Sequence, residues 1–195
     1  MSVFSEARCL PMSLGCLPDD VRVHVIDGAY AAYPHTEPYS TDGTIEIAEA
    51  FGATVHRFTD AWPDQVAKRT YTLTLADVVF VLDADEMLVN GYPELPDGYD
   101  VGWVWIRSSI YPTPYPEPRV FRVRPGWHYD KRHHWIYDAD GDLVCSHTEA
   151  GPKYRHLQLP SVVDNMRGWR SERREADKRE YGKERNRAEL RHSRP

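Results

Sequence analysis

Residues 78–82 read Val-Val-Phe-Val-Leu and run without a break into Asp83-Ala84-Asp85-Glu86. A short, continuous apolar run rich in β-branched side chains fits a strand covered on both faces, as in a parallel sheet. Three carboxylates in the next four positions cannot follow it into a core, because like charges so close are costly to ionise together without a cation. The strand must therefore end at a cleft or a surface, and in open α/β sheets ligands bind at the carboxyl ends of strands. If 83–85 stays extended, Asp83 and Asp85 point the same way. Such oxygen donors suit Mg²⁺ or Mn²⁺ carrying a substrate diphosphate. The plain structural alternative is an acidic turn in which Glu86 caps a following helix.

The pattern upstream fits that setting. Residues 21–26 alternate β-branched with polar types and stop at Asp27-Gly28, a strand and a turn. Ser40-Thr41-Asp42-Gly43-Thr44 offers N-cap side chains, and Ile45, Ala48 and Phe51 share a helical face before Gly52. Residues 54–58 predict a second strand and 64–75 a second helix. Strands alternating with helices predict a Rossmann-like, mostly parallel α/β sheet. Beyond residue 90, strands at 101–107 and 119–123 flank a Pro/Tyr-rich connection at 111–118, which predicts an antiparallel, loop-rich second half. The expected division is one domain over 1–163, with halves 1–90 and 91–163, followed by a charged C-terminal helix or tail at 164–195. His24 and His56 fall on strands and read as structural.

Composition narrows the function classes. The longest apolar run has five residues, far short of the roughly 20 needed to cross a bilayer. The first residues show no basic segment followed by an apolar one, so the expected location is the cytoplasm. Cys9, Cys16 and Cys145 are odd in number and lack CxxC spacing, which suits reduced thiols. Residues 1–166 carry 13 Lys/Arg against 24 Asp/Glu, and residues 167–195 carry 11 against 6. An acidic body does not neutralise phosphates, so no nucleic-acid partner is expected. The basic tail is expected to dock on that body, with peripheral membrane contact at most.

Two aromatic-imidazole groups, Trp127-His128-Tyr129-Asp130 and His133-His134-Trp135, form a candidate acceptor pocket, since Trp and Tyr faces stack on sugar rings. A small aromatic core is the competing reading. Trp127, Tyr129, His133, His134 and Trp135 are the side chains concerned.

Asp27-Gly28, the 40–44 helix start, Gly52-Ala53, the Gln65-to-Arg69 helix and Leu82-Asp83-Ala84-Asp85-Glu86, in that order and spacing, resemble the nucleotide-sugar half of family 2 glycosyltransferases with the GT-A fold. The resemblance implies that Asp27 contacts the nucleobase and Arg69 the nucleotide, with Asp42 and Lys68 beside them. It implies Asp83 near the ribose, Asp85 on the metal, and Glu6 next to the nucleotide. Arg119-Val-Phe-Arg122 resembles a strand of small bacterial members, and Lys153-Tyr-Arg-His156 resembles the late strand whose His often completes the metal site.

The sequence also departs from the family. Only Met1 to Phe4 stand where the first strand has several more apolar residues. Thr70 follows Arg69 where Asn is usual, and His134-Trp135 replaces His-Glu. An inverting transfer needs a carboxylate to take the acceptor proton, and Asp130 is the choice ahead of Asp138 and Glu117.

The expected function is therefore a Mn²⁺- or Mg²⁺-dependent transfer of a sugar from a nucleoside-diphosphate donor to a hydroxyl of a glycan, lipid-linked sugar, protein or small molecule. A transferase fold retained for sugar binding or assembly, and a nucleotidyltransferase, are the rivals. The second would want a Gly-rich basic loop in residues 4–17, where only Gly15 occurs.

Overall fold

A computed structural model describes residues 1–33, 37–109, 111–130 and 135–166. His133, His134 and the tail beyond residue 166, with the helix expected there, lie outside the described residues. In chain order the elements are β1 (Ser2–Val3), α1 (Leu10–Gly15), β2 (His24–Asp27), α2 (Thr44–Ala50), β3 (Thr54–His56), α3 (Gln65–Thr72), β4 (Val78–Phe80), β5 (Glu86–Asn90), β6 (Val101–Ser108), β7 (Tyr111–Arg122), β8 (His128–Tyr129), β9 (Ile136–Tyr137), β10 (Leu143–Cys145) and β11 (His156–Asn165). None of the described helices is long and apolar enough to cross a membrane.

The fold is mixed α/β. Strands β1, β2 and β3 form a parallel sheet in that order. Its crossover helix α2 starts where Asp42 Oδ1 accepts from Thr44 N at 3.2 Å and Thr44 Oγ1 at 2.5 Å, and Ile45 and Ala48 are buried on one face. Gly52, at φ 89°, ends it with its N–H on Glu49 O. Helix α3 has Asp64 as a true N-cap, Oδ1 accepting from Ala67 N at 2.8 Å. Its buried face is Lys68, Arg69 and Thr72, so this helix turns cations inward. Buried Lys and Arg are rare unless paired.

The second sheet has five strands in the order β4-β7-β6-β11-β5. Its neighbours are antiparallel except β6 and β11, which run parallel. β8, β9 and β10 make a small antiparallel sheet. Met1 and Leu17 pack both on the core of the parallel sheet (Val3, Leu14, Val25) and on that of the five-stranded sheet (Leu82, Val104, Val163).

Four expectations need correction. The parallel sheet stops at three strands, and β4 belongs to the other sheet as an edge strand, with Val78 40% exposed. The second half is not wholly antiparallel, because β11 returns alongside β6 in parallel. The stretch 111–118 is not a connection but the first arm of β7. Its prolines at 112, 114, 116 and 118 repeat with period two, so the missing N–H groups all fall along one edge, which a strand tolerates when that edge is open. β4 covers only residues 120–122 of it. Finally, 83–86 neither stays extended nor opens a helix: Glu86 N donates to Asp83 O at 3.0 Å in a turn that leads into β5.

Glycines test this packing. A Cβ at Gly151 would lie 1.8 Å from Leu143 O and 2.6 Å from Val144 O, both backbone, whereas one at Gly102 meets the flexible Leu159 side chain at 2.7 Å and one at Gly15 meets nothing. In urea denaturation Gly151→Ala should lose more than about 3 kcal/mol, Gly102→Ala about 1–2, and Gly15→Ala nothing. Equal losses at 151 and 102 would contradict the described path of 143–151.

Candidate functional site

The carboxyl ends of β1 and β2 are tied together by side chains from loops and from α3. Lys68 Nζ donates to Val3 O at 2.6 Å and to Gly28 O at 2.7 Å. Asp27 is 0% exposed, and its carboxylate accepts from Ser40 N at 2.9 Å and Ser40 Oγ at 2.6 Å. Trp62 Nε1 donates to Asp27 O at 3.0 Å. At Gly28, φ 128°, any Cβ would lie 3.0 Å from that indole, which explains the glycine. Ser5 N, Glu6 N and Ala7 N donate to Ser40 Oγ, Thr44 Oγ1 and Asp42 Oδ2. Glu6, Asp27, Asp42 and Lys68 thus come together as expected, but Asp27, Asp42 and Lys68 direct polar atoms into the framework. Beside them, Phe4, Gly28, Tyr30, Tyr33 and Lys68 line a small pocket of about 20 Å³.

The acidic turn sits on two buried guanidinium groups. Arg69 Nη2 lies 3.0 Å from each oxygen of Asp83. Arg119 Nη2 donates to Glu86 Oε1 at 2.6 Å and stands 3.5 Å from Glu117 Oε1. Glu86 Oε2 accepts from Asp83 N at 3.0 Å. Asp85 is 2% exposed, and its backbone carbonyl accepts from Met166 N at 2.7 Å. Glu117 and Arg119 lie two apart on β7 and share a face. With Arg69, Tyr129 and His147 they line a narrow cleft of about 10 Å³. Arg119 is 5% exposed, and its Nε and Nη1 meet no hydrogen-bond partner among the described residues.

Among the described residues, four carboxyl groups, of Asp83, Asp85, Glu86 and Glu117, gather around the two guanidiniums. The Glu86 carboxyl is pushed up to about 7, chiefly by burial, with Asp83, Asp85 and Glu117 also raising it against the pull of Arg119. The upward direction holds despite the short bond to Arg119, because desolvation and three like charges oppose one cation that Glu117 shares. The Arg69 guanidinium keeps its charge against burial through Asp83. Carboxylate oxygens are the donors that a hard divalent cation prefers. Asp83 and Asp85 offer such donors; three that lie together occur among the described residues at Asp138, Asp140 and Asp142.

Other candidates lie elsewhere. His156 pairs with Val101 at one end of β11, while Asp85 adjoins Met166 past the other end. The partners of the two ends on β6, Val101 and Ser108, lie seven steps of strand apart, about 23 Å, so His156 and Asp85 cannot share one metal. His156 Nδ1 instead accepts from Trp103 Nε1 at 3.0 Å. Trp127 is core, edge-on to Tyr154 at 5.1 Å. Trp135 leans on Tyr137 at 6.3 Å, and among the described residues Tyr129 alone of the expected acceptor group lines the cleft. Asp130 is exposed, with its N–H on Trp135 O.

Asp138, Asp140 and Asp142 do bring carboxylates together. Lys153 Nζ already stands among them at 2.8, 3.2 and 3.2 Å. Its ammonium takes the place of a cation, and with Tyr154 it holds Asp138 well below the usual carboxylate range, which removes Asp138 as a base.

Glu117, Arg119 and His147 are the cleft residues that sequence reasoning underweighted. The period-two pairing of 117 with 119 was the available signal; nothing local marks His147. No family model matches the chain, and no curated protein matches it.

The raised Glu86 carboxyl has a sign that can be measured. A folded value above the unfolded one gives stability that is complete below about 4.5 and lost as pH rises through about 7. Glu86 should therefore contribute a fall in unfolding free energy over that window, against rises from the buried Met1 amino group and from His24, His56 and His156, and Glu86→Gln, which mimics the protonated group, should remove that falling contribution. A slope of opposite sign that the variant leaves unchanged would show Glu86 to be ionised throughout.

Proposed function

We propose that the chain is a metal-dependent glycosyltransferase of GT-A type, moving a sugar from a nucleoside-diphosphate donor to an acceptor hydroxyl. The observation that carries this is the placement of the Asp83–Asp85 turn directly after β4 with Arg69 from α3 against it. Phe4, Tyr30 and Tyr33 at the ends of β1 and β2 add support, since aromatic faces stack on bases. Asp85, with Asp83 held by Arg69, would hold Mn²⁺ or Mg²⁺, which when bound stabilises charge building on a leaving diphosphate.

The remaining work falls to side chains. Lys68 fixes the two strand ends that frame the nucleotide. Arg69 orients Asp83. Tyr129 and Arg119 wall a cleft that keeps water from the reacting centre, and Glu117, which faces that cleft, is a better placed base for the acceptor proton than Asp130. A second reading, a sugar-binding or assembly module on the same fold, draws on the internal hydrogen bonds that occupy Asp27, Asp42 and Lys68.

Hydrolysis of UDP-, GDP-, CDP- and dTDP-sugars with and without Mn²⁺ separates the two, because a binding module shows none. Within the transferase reading, Asp85→Asn should lower metal-dependent turnover about 100-fold or more, while Asp140→Asn should leave it unchanged. The reverse pattern would move the metal to the 138–142 loop. Asp27→Ala, if Asp27 only frames the base, should raise KM for the donor with kcat nearly constant; a collapse of kcat alone would remove it from that role.

A further inference from the structure

Along β6 burial alternates with side-chain direction: Gly102, Val104 and Ile106 are buried, Trp103 is half-buried, and Trp105 and Arg107 are exposed, Trp105 at 37%. Residues opposite one another on paired strands share a face. Trp103 lies opposite Pro118 on β7 and Gln158 on β11, and Trp105 opposite Pro116 and Val162. Indole and proline rings therefore form an apolar strip on the face of the five-stranded sheet away from Val104 and Ile106. From Trp103 to Arg107 it runs four strand steps, about 13 Å. Pro118, at its start, also lines the cleft. Arg107 ends it, with Nε and Nη2 at 2.5 and 2.6 Å from the two oxygens of Asp164.

Pro116 pairs with Trp105 but has no N–H, so the ladder bonds on either side fall to Val104 with Glu117 and Ile106 with Tyr115. Pro114 and Pro116 then turn their carbonyls to the open edge of β7, and neither offers an N–H beside them; both residues are exposed. β4 covers only residues 120–122 of that edge. Gln158 repeats the pattern: its Nε2 donates to Trp103 O at 3.0 Å and Leu159 O at 3.1 Å, and its amide oxygen remains an acceptor. Oxygen acceptors without matching donors thus flank an apolar ring surface. The charged pair beside it, Arg107 with Asp164, is neutral as a whole.

We propose that this strip holds a neutral oligosaccharide. A sugar ring brings what the surface lacks: hydroxyl donors for Pro114 O, Pro116 O and Gln158 Oε1, and a C–H face for the indole of Trp105. An added β-strand needs donors as well as acceptors along the edge it joins, and Pro114 and Pro116 supply no donor. A phosphate or a basic peptide needs an uncommitted charge, and Arg107 and Asp164 are committed to each other. The proposal rests on the transferase reading in one respect, that the oligosaccharide is then the acceptor, with its end at the cleft; its binding needs no nucleotide.

The test is a nuclear magnetic resonance titration of the full chain, without nucleotide or metal, with the neutral hexasaccharides cellohexaose, chitohexaose and maltohexaose. At least one should bind, with shift changes centred on the Trp105 indole and the Gln158 side-chain amide. Trp105→Ala, at an exposed position, should melt as the unaltered chain does and weaken that binding about tenfold or more. Val89→Ala, at an exposed position on β5, should not change it. Binding of none of the hexasaccharides, shift changes confined to other residues, or equal affinity in Trp105→Ala would each overturn the proposal. So would a hexalysine peptide that shifts the same two side chains as strongly. Because no donor sugar is present, each of these outcomes is independent of whether the chain hydrolyses nucleotide sugars.

Discussion

Two guanidinium groups buried under a turn of carboxylates set the terms for the rest of this molecule. Arg69 from α3 and Arg119 from β7 both reach the 83–86 turn, so helix and five-stranded sheet meet there through an electrostatic contact as much as an apolar one. Buried pairs of this kind seldom add net stability over an apolar replacement, yet removing one partner strands a charge and costs several kcal/mol, about 3–5. Such an arrangement is expensive for a fold and useful to a site. It holds acidic groups in place where water would otherwise draw them outward.

The same junction explains the division of labour along the chain. Lys68 and Arg69 are neighbours on one helix, but the first grips the backbone carbonyls of Val3 and Gly28 while the second grips a carboxylate. One turn of helix therefore fixes the strand ends of the parallel sheet and the acidic turn of the other sheet relative to each other. The Gln65–Thr72 helix does this from an N-cap, Asp64, that sets where its first turn begins. At Lys153, among Asp138, Asp140 and Asp142, a cation of the chain itself stands within an acidic group and holds the loop.

Much of this was legible in the residues. β2, α2, α3 and β6 follow from alternation, caps and glycine stops, and the strand before Asp83 from its apolar run. What periodicity could not carry was partnership. The run at 78–82 has the look of a central strand, but its neighbours are decided by β7, whose proline-rich arm masks a strand because proline at every second position hides the usual signal. His156 was misplaced for a related reason: the direction of β11, which puts His156 and Asp85 at opposite ends, is set by a parallel pairing with β6 that no local pattern encodes. Trp127 was read as a ligand surface although aromatic residues near one another more often close a core, as it does here with Tyr154.

The central claim is that the acidic turn is a site for a divalent cation together with a nucleoside diphosphate. Titration of Mn²⁺ followed by electron paramagnetic resonance, with and without UDP, GDP, CDP and dTDP, tests it most directly. The account predicts one Mn²⁺ per chain whose affinity rises at least about tenfold with one of these nucleotides, since each ligand must strengthen the other by the same factor, and whose coupling disappears in Asp85→Asn. Mn²⁺ binding that ignores every nucleotide, or that persists unchanged in the variant, would contradict it.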